Sequence, residues 1–379
     1  MKLLMISGDR STLRGKRSAF WYTLQELRKH WDRIDIICPY VRCDAARTEC
    51  HTSVPERDVG GEVHFHPSPH GLWYQPFWIL KRGKALVAEH HHEVMTVHDY
   101  PPFYNELGAR WLARATKLPF AIEIHHIVGY PHAASFIEWI GKLLSRLALP
   151  RHAKRASAVR VVNEATKESL VAWGVQPEKI FTVASFYLNR ELLTKDVRPP
   201  ASYDVSFCGR LVPNKQLYEL ITAVADIPEV RLLIIGDGPD RKRCEALTKK
   251  CGMGERAKFL GWLPTMEDVV GAVLTARIFV MNSLSEGGPR SALEAMGMGM
   301  PVIVTPVGIM PEVIEDGVNG IMTDGTKGDL RRKIMRLIED DAQRERLGDE
   351  ARKILDRFDR PQLISQYADF LKSIASSQA

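Results

Sequence analysis

The sequence predicts two doubly wound α/β domains in tandem, each on a parallel sheet, and three observations carry that prediction. Short apolar runs alternate with segments of helical periodicity along the chain, the pattern of crossovers that builds a parallel sheet covered on both faces. A polar stretch at 194–202, with two consecutive prolines and no periodicity, interrupts the alternation as a linker does. The length, 379 residues, is enough for two cores.

In chain order, a strand is expected at 2–7, then a loop at 8–17 with four basic residues and Gly15. A helix at 18–31 follows, with Phe20, Leu24, Leu27 and Trp31 at helical spacing. Strands are read at 34–38, 63–66, 94–98 and 120–124, the last leading into His125 and His126. Residues 39–62 are rich in loop formers, and 105–116 reads as a helix. Segment 136–149 is amphipathic: Phe136, Ile140, Leu143, Leu144 and Leu147 share a face, with Lys142 and Arg146 off it. Two readings stand for it, a core-facing helix with a solvated basic side or a helix lying in a membrane interface. A strand at 159–162, a helix at 164–173 and a strand at 180–183 close the first series. The second series has strands at 204–208, 231–235, 257–260, 278–281, 301–305 and 320–323. Its helices fall at 215–226, 239–251, 266–276 and 290–296, then through most of 329–358, with a last one at 362–374. The expected domains are 1–196 and 199–360, followed by a C-terminal helical segment, 361–379.

Composition narrows the class. Hydrophobic content of 45% and charged content of 26% are those of an ordinary globular protein. No apolar run is long enough to span a bilayer, and the opening MKLLMISGDR has too short an apolar core for a secretory signal. Six cysteines without a C-x-x-C pair do not form a disulfide framework, so reduced thiols and a cytoplasmic setting are expected. The net charge of +6 is uneven: residues 1–200 carry 28 Lys and Arg against 20 Asp and Glu, and residues 201–379 carry 24 against 26. Seven of the eight tryptophans also fall in the first half, among them Trp73 and Trp78. A basic, Trp-rich half suits an anionic or amphipathic partner, such as a membrane surface or nucleic acid.

Ligands of open α/β sheets bind beyond the carboxyl ends of the strands. In the second series those positions hold Gly209 and Arg210 with Lys215 nearby, then Gly236-Asp237-Gly238, then Gly261 and Trp262. The next is the stretch 283–319, SLSEGGPRSALEAMGMGMPVIVTPVGIMPEVIEDGVN. There Gly287, Gly288 and Pro289 open a short helix, a seat for an anion because free N–H groups and the helix dipole point to it. Arg210 and Lys215 would neutralise a phosphate, one as a planar fork and the other as a point charge. Glu286 in the loop and Glu294 in the helix suit a ligand that also presents hydroxyls. His125, at a strand end facing the cleft, is either a donor to a phosphate or sugar hydroxyl or a packed strand-end residue. Gly15 with Lys16 and Arg17 either faces an anion or lies in a surface loop. The first strand is not followed by G-x-G-x-x-G, which argues against a dinucleotide redox fold. His90, His91 and His92 invite a metal reading, but adjacent histidines point apart; Cys43, Cys50 and His51 suggest zinc only faintly. No metal site is expected.

The blocks FCGRLVPNK (207–215), LLIIGDGP (232–239), KFLGW (258–262), SEGGPRSALEAMGMGMPVIVT with its Glu286-x7-Glu294 spacing, and PEVIEDGVNG (311–320) resemble the retaining GT-B glycosyltransferases of family 4 (glycosyl transferases group 1). AIEIHH (121–126) resembles the same family's strand ending in histidine. The resemblance implies a GT-B fold of two Rossmann-like domains facing a central cleft, and a metal-independent hexosyl transfer from a nucleotide sugar, UDP-sugar favoured over GDP-mannose. It implies that Arg210 and Lys215 bind the diphosphate, Glu294 the ribose and Glu286 the transferred sugar. Amides near Gly287, Gly288 and Pro289 would assist. Gly209 and Gly236 would line the donor site, Trp262 and Leu263 would edge the base, and His125 and Gly15 would lie near the sugar and the phosphates. His125, Glu286, Arg210 and Lys215 form the implied catalytic set, and the final helix would cross back onto the first domain. The chain departs from the family where only Gly15 stands for a glycine pair, and where Ser185-Phe186 replaces Asn-Gly. The acceptor is expected to be a sugar or a lipid-linked sugar, in polysaccharide or glycolipid synthesis, with an anionic membrane surface as partner, no cofactor and no nucleic acid. The alternatives are an epimerase or phosphorylase of the same plan, or a non-catalytic sugar-nucleotide or membrane-binding module.

Overall fold

The structure is a computed structural model that describes residues 1–15, 19–41, 60–98, 101–194 and 199–376. The first half runs β1 (Lys2–Ile6), α1 (Ala19–Leu27), β2 (Arg33–Cys38), β3 (Glu62–Pro67), α2 (Gln75–His90), β4 (Val94–His98), α3 (Tyr104–Thr116), β5 (Phe120–Ile124), α4 (Phe136–Arg155), β6 (Ala158–Val161), α5 (Glu164–Ala172), β7 (Ile180–Thr182) and α6 (Arg190–Leu193). The second runs β8 (Tyr203–Cys208), α7 (Leu217–Ala225), β9 (Leu232–Ile235), α8 (Arg241–Lys250), β10 (Ala257–Gly261), α9 (Met266–Val273), β11 (Ala276–Met281), α10 (Arg290–Gly297), β12 (Val302–Val304), α11 (Met310–Val313) and β13 (Ile321–Met322). Four helices end it: α12 (Lys327–Glu339), α13 (Asp341–Arg352), α14 (Ile354–Arg357) and α15 (Arg360–Ser376).

The strands pair in parallel into two sheets, ordered β3-β2-β1-β4-β5-β6-β7 and β10-β9-β8-β11-β12-β13. In both, the strand order runs outward for three strands and then returns to the other side of the first, so each has a switch point, between β1 and β4 and between β8 and β11. The strands are apolar on both faces because helices cover both: Leu3, Leu4, Met5 and Ile6 are all buried, as are Leu232 to Ile235. Side-chain caps start several helices. Asn163 caps α5 by accepting from the Thr166 amide at 2.8 Å, and Thr265 with Asp268 forms a capping box on α9.

Helix α15 returns to the first domain. Phe370 meets Phe181 with ring centroids 5.3 Å apart, and Lys372 lies over Trp31. The crossing is pinned where the Leu188 amide donates to the Phe358 carbonyl at 2.9 Å.

The sequence reading needs two corrections and leaves one choice to the structure. Helix α2 is absent from it. Pro76 lies in the first turn, where its lacking N–H costs nothing, and a Cβ at Gly83 would collide with Leu112 of α3, so this glycine lets two helices pack closely. Helix α4 continues through Pro150 to Arg155 rather than ending at 149. Of the two readings of 136–149, the core-facing one falls: Phe136, Ile140, Leu143, Leu144 and Leu147 all stand in solvent, and Gly141, Ser145, Leu149 and Ala153 pack inward. Gly141 is small there because Val128 lies against it.

The rings of His90 and His92 meet edge to face with centroids 6.1 Å apart. His90 ends α2, His91 adopts the left-handed conformation that caps it (φ 56°), and His92 is buried with Nε2 2.9 Å from Asp35 Oδ2. Asp35 also accepts from Arg33 Nε at 2.6 Å and contacts His66 Nε2 at 2.7 Å. Burial would raise the Asp35 carboxyl, but His66, His92 and Arg33 outweigh it and hold it well below the usual range. Cys43, Cys50 and His51, and likewise Lys16 and Arg17, lie outside the described residues.

Candidate active site

The carboxyl edge of the second sheet is built by glycines that let backbone pack on backbone. Gly236 has φ 126°, and a Cβ there would overlap the Gly209 carbonyl; the Gly236 amide donates to the Gly261 carbonyl at 2.8 Å. Trp262 stands exposed just beyond, with Leu263 half-buried beside it. Gly209 thus stacks against the next strand end, and Arg210 points into solvent.

At the β8/β11 switch point, two loops are stitched together. The Leu284 amide donates to the Asn214 carbonyl at 2.8 Å, and Asn214 Nδ2 donates to the Ser285 carbonyl at 3.2 Å. This brings Lys215 and Glu286 into a direct ion pair, both largely buried. Helix α10 begins four residues on. Pro289 stands immediately before its first residue, and Ser291 Oγ fixes the helix to the Cys208 carbonyl at 2.8 Å. Glu294 is 9% exposed, and its Oε1 accepts from Arg290 Nε at 2.9 Å.

Across the cleft, the first domain meets this loop directly. A Cβ at Gly287 would overlap the His125 carbonyl, and one at Gly288 would run into the Phe186 ring. Phe186, of the departing Ser185-Phe186 pair, is therefore a packing residue set against a glycine. Asn163 Nδ2 donates to the Gly287 carbonyl at 2.6 Å, and Arg290 donates to the Tyr187 carbonyl at 3.2 Å. His125 lies between Ser185 Oγ, 3.2 Å from Nδ1, and Glu123 Oε2, 3.4 Å from Nε2. His126, next to it, faces Glu286; crowding by the cleft walls lowers its pKa, with the Glu286 charge pulling the other way. Gly15 is exposed at the end of a short 3-10 turn, and Ser7, Gly8 and Asp9 are the residues of that loop that line the cleft.

Behind His125 lies a buried polar cluster that sequence reasoning missed. Glu123 of β5 and Arg160 of β6 are register partners, paired at 2.8 Å and almost fully buried. Arg160 also donates to Tyr187 Oη at 3.1 Å and to the Val183 and Ala184 carbonyls at 3.0 and 2.9 Å, and its guanidinium lies 3.8 Å from the Tyr367 ring centre. Thr96 and the Tyr367 hydroxyl donate to the other Glu123 oxygen. Burial alone would raise the Glu123 carboxyl, but Arg160 and the His98 and His125 imidazoles hold it well below the usual range. Burial lowers His98 to about 4, so its ring is neutral at neutral pH. A cavity of about 440 Å³ opens here, lined among others by Ser7, Asp9, His98, His125, Arg160 and Arg290. A sequence signal for the cluster exists: AIEIHH and SAVRVVN each place one charge inside an apolar strand, and opposite charges inside adjacent buried strands have reason to pair.

The site thus couples a cationic, glycine-lined helix start in one domain to a polar cavity in the other. It can hold an anion on Lys215, Arg210 and the start of α10, beside carboxylates and a neutral imidazole that bind hydroxyls.

Residues 15–185 match the family model described as a glycosyl transferase 4-like domain, and residues 190–354 match that of glycosyl transferases group 1. A lipopolysaccharide core biosynthesis glycosyltransferase, LpsE of Rhizobium meliloti, is 32% identical over 44% of this chain and 48% of its own length. The sulfoquinovosyl transferase SQD2 of Arabidopsis thaliana is 25% identical over 91% of this chain and 68% of its own. The chain spans about half the length of the first of these. Among solved structures, Anabaena Alr3699/HepE in complex with UDP and glucose superposes with a TM-score of 0.75 at 21% identity, over 98% of this chain and all of that one, a likeness of fold.

Proposed function

Since the chain belongs to the glycosyl transferases group 1 family, with a 4-like first domain and the GT-B fold, we propose that it transfers a sugar from a nucleoside-diphosphate sugar to an acceptor held against the first domain. The observation that carries this reading is the Lys215–Glu286 pair at the mouth of α10, set opposite His125 across the cleft. An arriving diphosphate competes with Glu286 for the Lys215 ammonium and adds Arg210 and the free amides of the glycine loop. Glu286 is then released to accept from sugar hydroxyls. Glu294, beside the same helix start, takes the ribose in exchange for Arg290.

We assign retention of configuration. The bond from the anomeric carbon to the β-phosphate oxygen breaks, the acceptor oxygen bonds to that carbon on the same face, and the acceptor proton passes to the departing phosphate. Lys215, Arg210 and the α10 dipole stabilise the charge that develops on the diphosphate. UDP is the nucleotide we favour over GDP, in line with the UDP carried by the Anabaena structure. For the acceptor we propose a sugar or lipid-linked sugar in polysaccharide or glycolipid synthesis, supported by the lipopolysaccharide role named for the Rhizobium relative.

We propose that no metal takes part. His98, Glu123 and His125 do bring ligand atoms within 4.8 Å of one another, but Glu123 is committed to Arg160, whose guanidinium repels a second cation. A reducing, cytoplasmic setting fits the thiols: burial pushes Cys38 and Cys208 up to about 12, leaving them unreactive.

A thermal-shift panel of nucleoside diphosphates tests the reading. UDP at a hundred times its Kd stabilises by about 2.7 kcal/mol, and Lys215→Ala removes most of the shift for every nucleoside diphosphate. Transfer assays on Glu294→Ala and NMR of the product's anomeric proton complete it. Full transfer by Glu294→Ala overturns the assignment, and epimerised or phosphorolysed donor without acceptor points to the alternative enzymes. A failure of every nucleoside diphosphate to stabilise the protein removes the donor site altogether.

A further inference from the structure

Helix α4 carries its amphipathicity the wrong way round for a core helix. Its inward stripe, Gly141, Ser145, Leu149 and Ala153, is buried and spaced one residue per turn. Gly141 is small because Val128 would lie 3.0 Å from a Cβ there. The outward stripe is large and apolar, from Ile140 at 39% exposure to Ile137 at 80%, and it includes Phe136 stacked on Trp139 at 5.7 Å. Leu143, Leu144 and Leu147 extend it by two more turns. A continuous apolar stripe of this length on the surface marks an interaction site.

The charges say what it meets. Arg151, Lys154 and Arg155 stand exposed on the last turn, on the same side as the apolar stripe, with Arg146 at its flank. The one acid of the helix, Glu138, is turned back to accept from the Ala134 amide at 2.8 Å. Lys142 is also turned in, onto the Pro131 carbonyl at 2.7 Å. An apolar stripe ending in unopposed cations matches the acyl chains and phosphates of an anionic bilayer, and no helix of the described residues is long and apolar enough to cross one.

We propose that α4 lies in the interface of an anionic phospholipid membrane, its Phe136–Leu147 stripe among the acyl chains and Arg151, Lys154 and Arg155 at the phosphates. The helix starts at the carboxyl edge of the first sheet, eleven residues after His125, so docking holds the cleft mouth at headgroup level. The inference rests on the face of α4 alone and stands whatever the cleft transfers.

The test is co-sedimentation of the full chain with equimolar phosphatidylglycerol and phosphatidylcholine vesicles, beside phosphatidylcholine alone, at low and high salt. The protein pellets with the anionic vesicles at low salt and is released by salt. Lys154→Ala with Arg155→Ala lowers the affinity about 30-fold, as two basic side chains near an anionic surface do. Ile137→Glu with Leu144→Glu lowers it about 100-fold or more while keeping the wild-type melting temperature, since both side chains are exposed. Absence of binding to anionic vesicles at low salt overturns the proposal, as does binding by the double-Glu variant equal to wild type. A concentration-dependent dimer that the same variant dissolves, with no vesicle binding, assigns the face to a second copy of the chain and overturns it too.

Discussion

At the scale of single residues, the site is governed by two ion pairs with different jobs. On the proposed reading, an arriving diphosphate breaks Lys215–Glu286 and leaves Glu123–Arg160 intact. Glu286→Gln keeps the shape and loses the charge; its kcat is expected to fall about 100-fold with nucleotide affinity little changed, which steady-state kinetics and UDP titration separate. Removing a partner from the buried pair strands a charge, so Glu123→Gln is expected to cost about 3–5 kcal/mol in chemical denaturation. His98 adds a pH dependence. Its folded pKa, about 4, lies below the ordinary histidine value of 6.5, so between those values the unfolded chain binds the extra proton and stability falls as pH drops. Glu123 acts in the same direction at lower pH: its folded pKa is depressed, so its contribution is present above its unfolded value and is lost as acid protonates it. Melting temperature should decline from pH 6.5 towards pH 4, less steeply in His98→Gln.

Elements are placed by contacts that their own sequence does not announce. Helix α15 looks like an ordinary amphipathic tail, yet its Tyr367 donates to Glu123 beneath the cleft. Tyr367→Phe removes that donor from a charged acceptor and is expected to cost about 1.5–3 kcal/mol in denaturant melts. Deleting the chain from Arg360 onward would uncover Leu363, Ile364, Phe370 and Leu371 together with the cluster, and should leave an aggregating protein rather than a shortened active one. Glycine-dependent contacts behave alike. Gly287→Ala drives a Cβ into the His125 carbonyl, and because a Cβ is fixed by its own backbone and the carbonyl is backbone, neither can swing away. The expected result is a lower melting temperature and loss of transfer together.

At the scale of the whole molecule, two sheets of the same strand order put their switch points on either side of one cleft, and the chain crosses between domains twice. One hydrophobic cluster runs through both, from Leu3 and Leu27 through Phe186 to Leu371. Shared packing of this kind predicts a single calorimetric unfolding transition; two separated transitions would show that the return of α15 does not couple the domains.

Alternation of strand and helix was readable in the sequence because burial on both faces demands long apolar runs, and so were the glycine-opened helix and its two glutamates, because those residue types are locally necessary. Helix α2 was not, since its glycine serves a neighbour 29 residues away, Leu112, rather than the helix itself. Nor was the pairing of Glu123 with Arg160 and Tyr367, which depends on strand order and on the path of the last helix. By itself the sequence determined the fold class and the glycine-opened loop before α10, both set by short-range pattern. Only the tertiary structure decided which face of α4 meets solvent, because a periodic apolar stripe is the same string whether it packs inward or looks outward, and a small residue opposite it, Gly141, reveals its purpose only once Val128 lies against it.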